Sequence, residues 1–300
     1  MLPAETVILA GPTGAGKTDL AVRLARRIGG EIVGADAFQI YAGLPILTAQ
    51  PSAQEQIEIP HHLVGSIDPR MEYDTGRYLG TALPILWDIV SRGRIPIVVG
   101  GTGLYVKALL GGLDELPNNN PTLREEFSKA ELSELNLRLH SLDPEAAAHI
   151  DPKNRRRVER ALEIVIMTGR PLADSWRRVQ PPEGLRALLL TREREELRVR
   201  IAANVESMFL RGVEQEVASL PEEQVGKTAA ATLGLKEIRA LLRGETTRAD
   251  TIGAIIRGSR RYAKRQLTWF RNQHDFREFN LGLYTNLDHA VDHSLKALGF

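Results

Sequence analysis

Residues 11–18 read GPTGAGKT, which fills the pattern G-x-x-x-x-G-K-[ST] completely. The loop lies between an apolar run, VILA at 7–10, and a helical stretch, DLAVRLARRIGG. In that setting glycines let backbone N–H groups turn inward around phosphate oxygens, and a helix N-terminus adds partial positive charge. Gly11, Pro12, Thr13, Gly14, Ala15 and Gly16 form the cradle, Lys17 brings a full charge, and the Thr18 hydroxyl can reach a magnesium ion or a phosphate oxygen. Two further residues could do chemistry beside it. Asp36 closes the run EIVGAD, and Thr102 stands between glycines in IPIVVGGTGLY. In an ATPase or GTPase a later buried strand usually ends in an acidic residue that helps hold magnesium. A hydroxyl there donates to phosphate without adding negative charge, as a site with a departing pyrophosphate requires. Asp36 itself reads as a magnesium ligand, as the base for an acceptor group, or as a helix N-cap. Thr102 also reads as a satisfied threonine in a glycine loop.

The elements around these residues place them together. Residues 7–10, 31–36 and 95–99 are short apolar runs, read as buried strands. Leu20, Leu24 and Ile28 recur at helical spacing before Gly29-Gly30, and 75–92 also reads as a helix. Strands alternating with helices predict a parallel sheet with right-handed crossovers, and ligands of such sheets sit beyond the strands' carboxyl ends. The loop at 11–18, Asp36 and Thr102 all lie at such ends. The polar, proline-bounded DELPNNNP (114–121) reads as a boundary, and the pattern from 122 to 178 is wholly helical. After Pro181-Pro182, RALLLTRE (186–193) reads as another strand, with long helices to about residue 275. The predicted fold is α/β: a phosphate-loop parallel-sheet core of residues 1–115 and 181–300, interrupted by a helical insertion domain of residues 116–180. The last twenty residues carry no clear pattern.

The 300 residues include 43% hydrophobic and 26% charged side chains, with a net charge of +1. A packed core is expected, and any nucleic-acid surface must come from local clustering. Two clusters exist. Lys153-Asn154-Arg155-Arg156-Arg157 with Arg160 opens a helix, and Arg257, Arg260, Arg261, Lys264, Arg265 and Arg271 follow with no acid between them. The absence of cysteine excludes disulfides and thiolate catalysis and fits a reducing cytoplasm. Neither a signal peptide nor a membrane span is read, and a cytoplasmic monomer is the expectation. His61 and His62 are adjacent and would point apart on an extended segment, so no metal pair is expected.

Several longer motifs carry a resemblance. GADAFQIY (34–41), PHHL (60–63), VGGTGLY (99–105), RVERALE (157–163) with TGRPL (168–172), REELRVRI (194–201) and RRYAKRQLTWFR (260–271) together resemble the tRNA dimethylallyltransferase, or tRNA isopentenyltransferase, family over about residues 5 to 275. The resemblance implies transfer of the five-carbon group of dimethylallyl diphosphate to N6 of the adenosine 3′ of the anticodon, tRNA position 37, with release of pyrophosphate. It implies Asp36 as general base at the adenine amino group and Thr102 on the diphosphate. Thr13 to Thr18 would hold the diphosphate with magnesium bridging it, Thr18 is the candidate metal contact, and Arg194 is a further diphosphate candidate.

An anticodon stem-loop as partner would meet Asp36, Ala37, Phe38, Gln39, Arg124, Arg156, Arg157, Arg160, Thr232, Gly234 and Lys236, clasped between insert and core. The target base must leave its stack, and an unpaired loop lowers that cost. Trp269 and Phe270 read as core. This chain departs from the family pattern at Ala37, where serine is usual, and at Ala231 and Leu235 near the Gly-Leu-Lys turn, so contacts to tRNA are expected to differ there. The phosphate loop reads Gly-Ala where Ala-Ser is commoner. The alternatives are a nucleotide kinase, a transferase acting on free adenine nucleotides, and a non-catalytic RNA-binding adaptor. The glycine–threonine loop argues against the first, the two basic clusters against the second, and the retained Lys17, Thr18, Asp36 and Thr102 against the third.

Overall fold

The computed structural model describes residues 1–111, 120–172 and 183–300. By backbone contacts the chain divides into two compact units, Met1–Gly112 with Gln180–Phe300, and Leu113–Val179. The expected boundaries at 115/116 and 180/181, and the helical expectation for 173–178, lie outside the described residues.

The first unit begins with β1 (Val7–Ala10), four apolar residues that are all buried. After the phosphate loop comes α1 (Lys17–Ile28), whose Leu20, Ala21, Leu24 and Ala25 form the buried stripe. Then follow β2 (Gly30–Gly34), α2 (Ala53–Glu58), started by a capping box between Ser52 and Glu55, and the two-residue strand β3 (His61–His62). α3 (Thr75–Ser91) is capped by Asp74 and buries Tyr78, Ala82, Leu86 and Ile89. β4 (Ile95–Gly100) leads into α4 (Gly103–Gly111).

The second unit, taken by itself, is helical throughout its described residues: α5 (Pro121–Lys129), α6 (Leu132–Leu142), α7 (Pro144–His149) and α8 (Arg155–Thr168). Asn120, Asp143 and Asn154 cap three of these helices through their side chains. Phe127, Leu135, Leu139, Val158 and Leu162 close a core of its own.

The first unit resumes with β5 (Arg186–Thr191), α9 (Arg194–Leu210), α10 (Val213–Ala218), α11 (Leu235–Leu242) and the long α12 (Arg248–Gln273). It ends with β6 (Arg277–Asn280) and α13 (Leu287–Leu298). The sheet order is β3-β2-β4-β1-β5-β6, and every pair is parallel. Alternate strand residues face opposite layers. Ile8, Val33, Val98 and Leu189 pack with α3, α4 and Phe270 of α12, whereas Leu9, Ile32, Ile97 and Leu190 pack with α1 and α13. The C-terminal stretch, unpatterned as sequence, thus supplies an edge strand and a covering helix. None of the described helices is long and apolar enough to cross a membrane.

Candidate active site

The carboxyl ends of β1, β2 and β4 meet a cavity of about 320 Å³ in the first unit. At the end of β1 the backbone turns through the glycine loop into α1. Two arginines from the β5–α9 region hold this loop by its carbonyls. Arg200 Nε donates to the Gly14 carbonyl and Arg192 Nε to that of Ala15, each at 2.9 Å. With those carbonyls engaged, α1 presents its free N–H end to the cavity. Lys17 Nζ donates to the Pro12 carbonyl at 2.9 Å. Burial pulls its ammonium down to about 8, an effect opposed by nearby Asp36. Arg200 also lines the cavity, and burial beside Arg192 lowers its pKa. Lys17 and Arg200 therefore form a desolvated positive end that a diphosphate would neutralise.

At the end of β2, the Ala35 N–H still bonds to the Val99 carbonyl at 2.8 Å. Asp36 is the first residue free of the ladder, so its carboxylate lines the cavity. Its Oδ1 accepts from the N–H groups of Phe38 at 2.9 Å and Gln39 at 3.3 Å. No helix follows, so Asp36 is not the helix N-cap weighed from sequence; it closes a turn over residues 37–40, which occupies one oxygen. Oδ2 is the oxygen available to a ligand.

At the end of β4, Thr102 Oγ1 accepts from the Ala37 N–H at 2.9 Å, and the Thr102 N–H donates to the Ala35 carbonyl at 3.1 Å. Thr102 therefore fastens the Asp36 segment to the β4 loop, and its hydroxyl also meets that of Tyr262. A Cβ at Gly103 would fall 2.0 Å from Cε3 of the Trp269 ring, so only glycine lets that ring pack there. Trp269 is partly buried and Phe270 fully buried, both against the core.

Other sequence candidates fall in different places. Thr13 uses its N–H on Gln266 Oε1 at 2.9 Å. Arg194 is exposed at the first turn of α9 and is not among the cavity-lining residues, whereas Arg200 further along the same helix is. Thr232 is buried, lines the cavity, and has no hydrogen-bond partner for its hydroxyl among the described residues. Gly234 caps α11 in the left-handed region at φ 93°, and Lys236 is exposed. Leu235 is buried with Leu44, Leu47 and Phe209, so an apolar side chain suits the packing there.

In the second unit, Arg124 and Arg160 both pair with the buried carboxylate of Glu163, at 3.1 and 2.6 Å, while Arg156 and Arg157 are exposed. On α12, Arg257, Arg260, Arg261 and Lys264 stand at i, i+3, i+4 and i+7, an exposed basic stripe. The opposite side of that helix buries Ser259 and Gln266 and turns Tyr262 to the cavity. Tyr262 lies 5.7 Å from Phe38, ring to ring, and burial beside Asp36 raises its pKa well above the usual tyrosine range. Sequence reasoning missed Tyr262, Gln266 and Arg200, although the first two sit inside RRYAKRQLTWFR; their i, i+4 spacing is the signal that pairs them.

Among the described residues no cluster of three or more His, Asp or Glu could bind a metal by itself. The oxygens of Thr18 and Asp36 on one cavity nonetheless fit magnesium, which takes one or two protein oxygens and completes its shell with phosphates and water.

Fold and site together define a phosphate-loop α/β protein whose crevice pairs a basic diphosphate cradle with the strand-end carboxylate of Asp36, with Asp19 and Glu55 also on its wall. Residues 39–273 match the model of the IPP transferase family and residues 4–59 that of isopentenyl transferase. The chain belongs to the IPP transferase family. It is 42% identical over 296 residues to tRNA dimethylallyltransferase 1 of Citrifermentans bemidjiense, covering 96% of each chain. It is 43% identical over 270 residues to tRNA dimethylallyltransferase of Akkermansia muciniphila, covering 89% of this chain and 90% of the relative. The crystal structure of the Bacillus halodurans tRNA isopentenylpyrophosphate transferase is similar at a TM-score of 0.72 and 34% identity, over 99% of this chain and 96% of that one. A eukaryotic dimethylallyltransferase acting on tRNA is similar at a TM-score of 0.77 and 27% identity, over 98% of this chain and 76% of that one.

Proposed function

We propose that the protein transfers the dimethylallyl group of dimethylallyl diphosphate to N6 of the adenosine 3′ of the anticodon in tRNA, releasing pyrophosphate. The observation that carries this reading is Asp36 lining one cavity with the phosphate loop, its segment tied by the Ala37 N–H to the Thr102 hydroxyl just past β4, where a hydrolase would carry an acid. The adenine amino nitrogen attacks C1 of the allyl group. The C1–O bond breaks, and its electron pair leaves with pyrophosphate. The amino proton passes to Asp36 Oδ2, while Oδ1 stays fixed by the turn. Lys17, the α1 N-terminus and Arg200 hold the diphosphate, and Thr102 donates to the oxygen on which charge develops. Thr18 would hold magnesium against the diphosphate, where the ion neutralises part of the leaving charge.

The exposed Arg156 and Arg157, and the α12 stripe, support an RNA substrate over a free nucleotide. Arg124 and Arg160 act one step removed, by neutralising Glu163.

The test is to incubate the protein with magnesium, dimethylallyl diphosphate and unmodified tRNA, digest the RNA and weigh its nucleosides. N6-dimethylallyl-adenosine in tRNA, absent when AMP replaces it, is the expected result. Modification of AMP alone, or of neither, overturns the reading. Asp36→Asn is expected to keep tRNA and diphosphate binding and to lower the transfer rate by about 10²–10⁴-fold.

A further inference from the structure

We propose that Gln266 is a positioning residue for the transfer, its side-chain amide fastening the phosphate loop to the glycine–threonine loop so that both act on one leaving group. The inference rests on the transferase reading above. β1 and β4 are neighbours, and their paired register ends at Ala10 and Gly100. Past that point the two backbones part toward separate tasks, one around the phosphates and one toward Thr102. The amide of Gln266 fills the gap in the ladder. Its Oε1 accepts from the Thr13 N–H and its Nε2 donates to the Gly101 carbonyl, each at 2.9 Å. One side chain thereby does for the two loops what a peptide group does between two strands.

The arrangement is tightly built. Gln266 is 5% exposed and its bond to Gly101 is buried, so the Gly101 carbonyl has no water as a ready substitute, while the Thr13 bond lies at the cavity edge. A Cβ at Gly101 would stand 2.1 Å from Gln266 Nε2, so the glycine makes room for the amide. One turn earlier on α12, Tyr262 sits beside Thr102 and Asp36, so the same helix face braces the catalytic hydroxyl from a second side. Gln266 has no role in binding the diphosphate itself, since it does not line the cavity and its amide is taken up by the two loops and by Tyr262. It acts through Thr13 and Gly101 on Lys17 and Thr102. Misplacing a catalytic group by about 1 Å can cost about 10²-fold in rate.

The experiment compares the wild type with Gln266→Met, Gln266→Glu and Gly101→Ala. Gln266→Met keeps the volume and removes both bonds. It is expected to retain wild-type tRNA affinity, to bind dimethylallyl diphosphate about 10-fold more weakly, and to transfer about 10–100-fold more slowly. Gly101→Ala should reproduce this from the other loop. In Gln266→Glu the ionised carboxylate faces the Gly101 carbonyl with an acceptor; protonated, it regains a donor and still accepts from Thr13. Its kcat relative to wild type should therefore rise as pH is lowered from about 8 to about 6. Wild-type kcat and diphosphate affinity in Gln266→Met would overturn the proposal. So would a loss in all three variants that follows thermal stability alone, with Gln266→Glu sharing the wild-type pH profile. Failure of the wild type to modify tRNA would instead overturn the transferase reading; diphosphate affinity by calorimetry would then decide on Gln266, a 10-fold loss in Gln266→Met supporting the fastening and an unchanged value refuting it.

Discussion

Asp36 shows how one carboxylate serves structure and chemistry at once. Oδ1 is held by the turn of Phe38 and Gln39, which fixes the direction of Oδ2 without a second acid to orient it. Thr102 shares this economy, accepting from Ala37 and meeting the Tyr262 hydroxyl with the same oxygen. Lys17 carries a pH consequence. Its pKa, lowered to about 8 by burial, lets the ammonium discharge just above neutrality in the ligand-free protein. A diphosphate binds the charged form, so affinity is expected to be constant below about pH 8 and to weaken by up to about tenfold per unit above it. Calorimetric titration with dimethylallyl diphosphate from pH 6.5 to 9.5 checks this, and Lys17→Met should bind weakly without that pH dependence. In the absence of ligand the sign for stability is opposite: the unfolded chain binds the extra proton between about 8 and 10.5, so folding stability rises over that range.

At the scale of elements, the edge of the sheet depends on one buried acid. Glu31 of β2 pairs with Arg92 after α3 and with His62 of β3, the latter at 2.8 Å. The PHHL motif therefore includes a structural histidine, and β3 is held by this side-chain hydrogen bond as well as by its two-residue ladder. Hydrogen bonding from Arg92 lowers the Glu31 pKa to about 2, against its desolvation. Its stabilising effect is present above the ordinary carboxylate range near 4.5 and is lost as pH falls toward about 2. Glu31→Ala is expected to cost about 2 kcal/mol at pH 7, toward the low end because Arg92 is half exposed, with the gap to wild type narrowing in thermal melts near pH 3.

What could be read without coordinates follows the same lines. Continuous apolar runs made β1, β4 and β5 legible, and strand ends located Asp36 and Thr102 beside the phosphate loop. β3 and β6 were not legible, because two residues carry no periodicity and REFN buries only Phe279. Arg200 could not be singled out from sequence, because spacing says which arginines share a helix but not which turn meets the loop. Gln266 could not be assigned because its two partners lie far away in the chain.

At the scale of the molecule, each unit has its own core, and this separates two kinds of damage. Phe127, fully buried in the insert, is expected to cost about 3–5 kcal/mol when changed to alanine. Under the proposed division of labour, Phe127→Ala should weaken tRNA binding and leave the affinity for dimethylallyl diphosphate unchanged, which filter binding and calorimetry would separate. Arg156→Ala with Arg157→Ala should weaken all tRNAs alike and lower the slope of log K against log salt by about two. The bond between Thr13 and Gln266 has a further implication, for the order in which the protein comes into being. The partners are 253 residues apart, and β1 at the sheet centre needs β5 from beyond residue 185 as its neighbour. On a ribosome adding about 5–20 residues per second, the phosphate loop emerges early and waits ten seconds or more, by this rough measure, for the side chain that secures it. The helical insert, whose contacts are local, has everything it needs well before then. A nascent chain stalled before α12 should already hold a folded insert yet fail to retain dimethylallyl diphosphate.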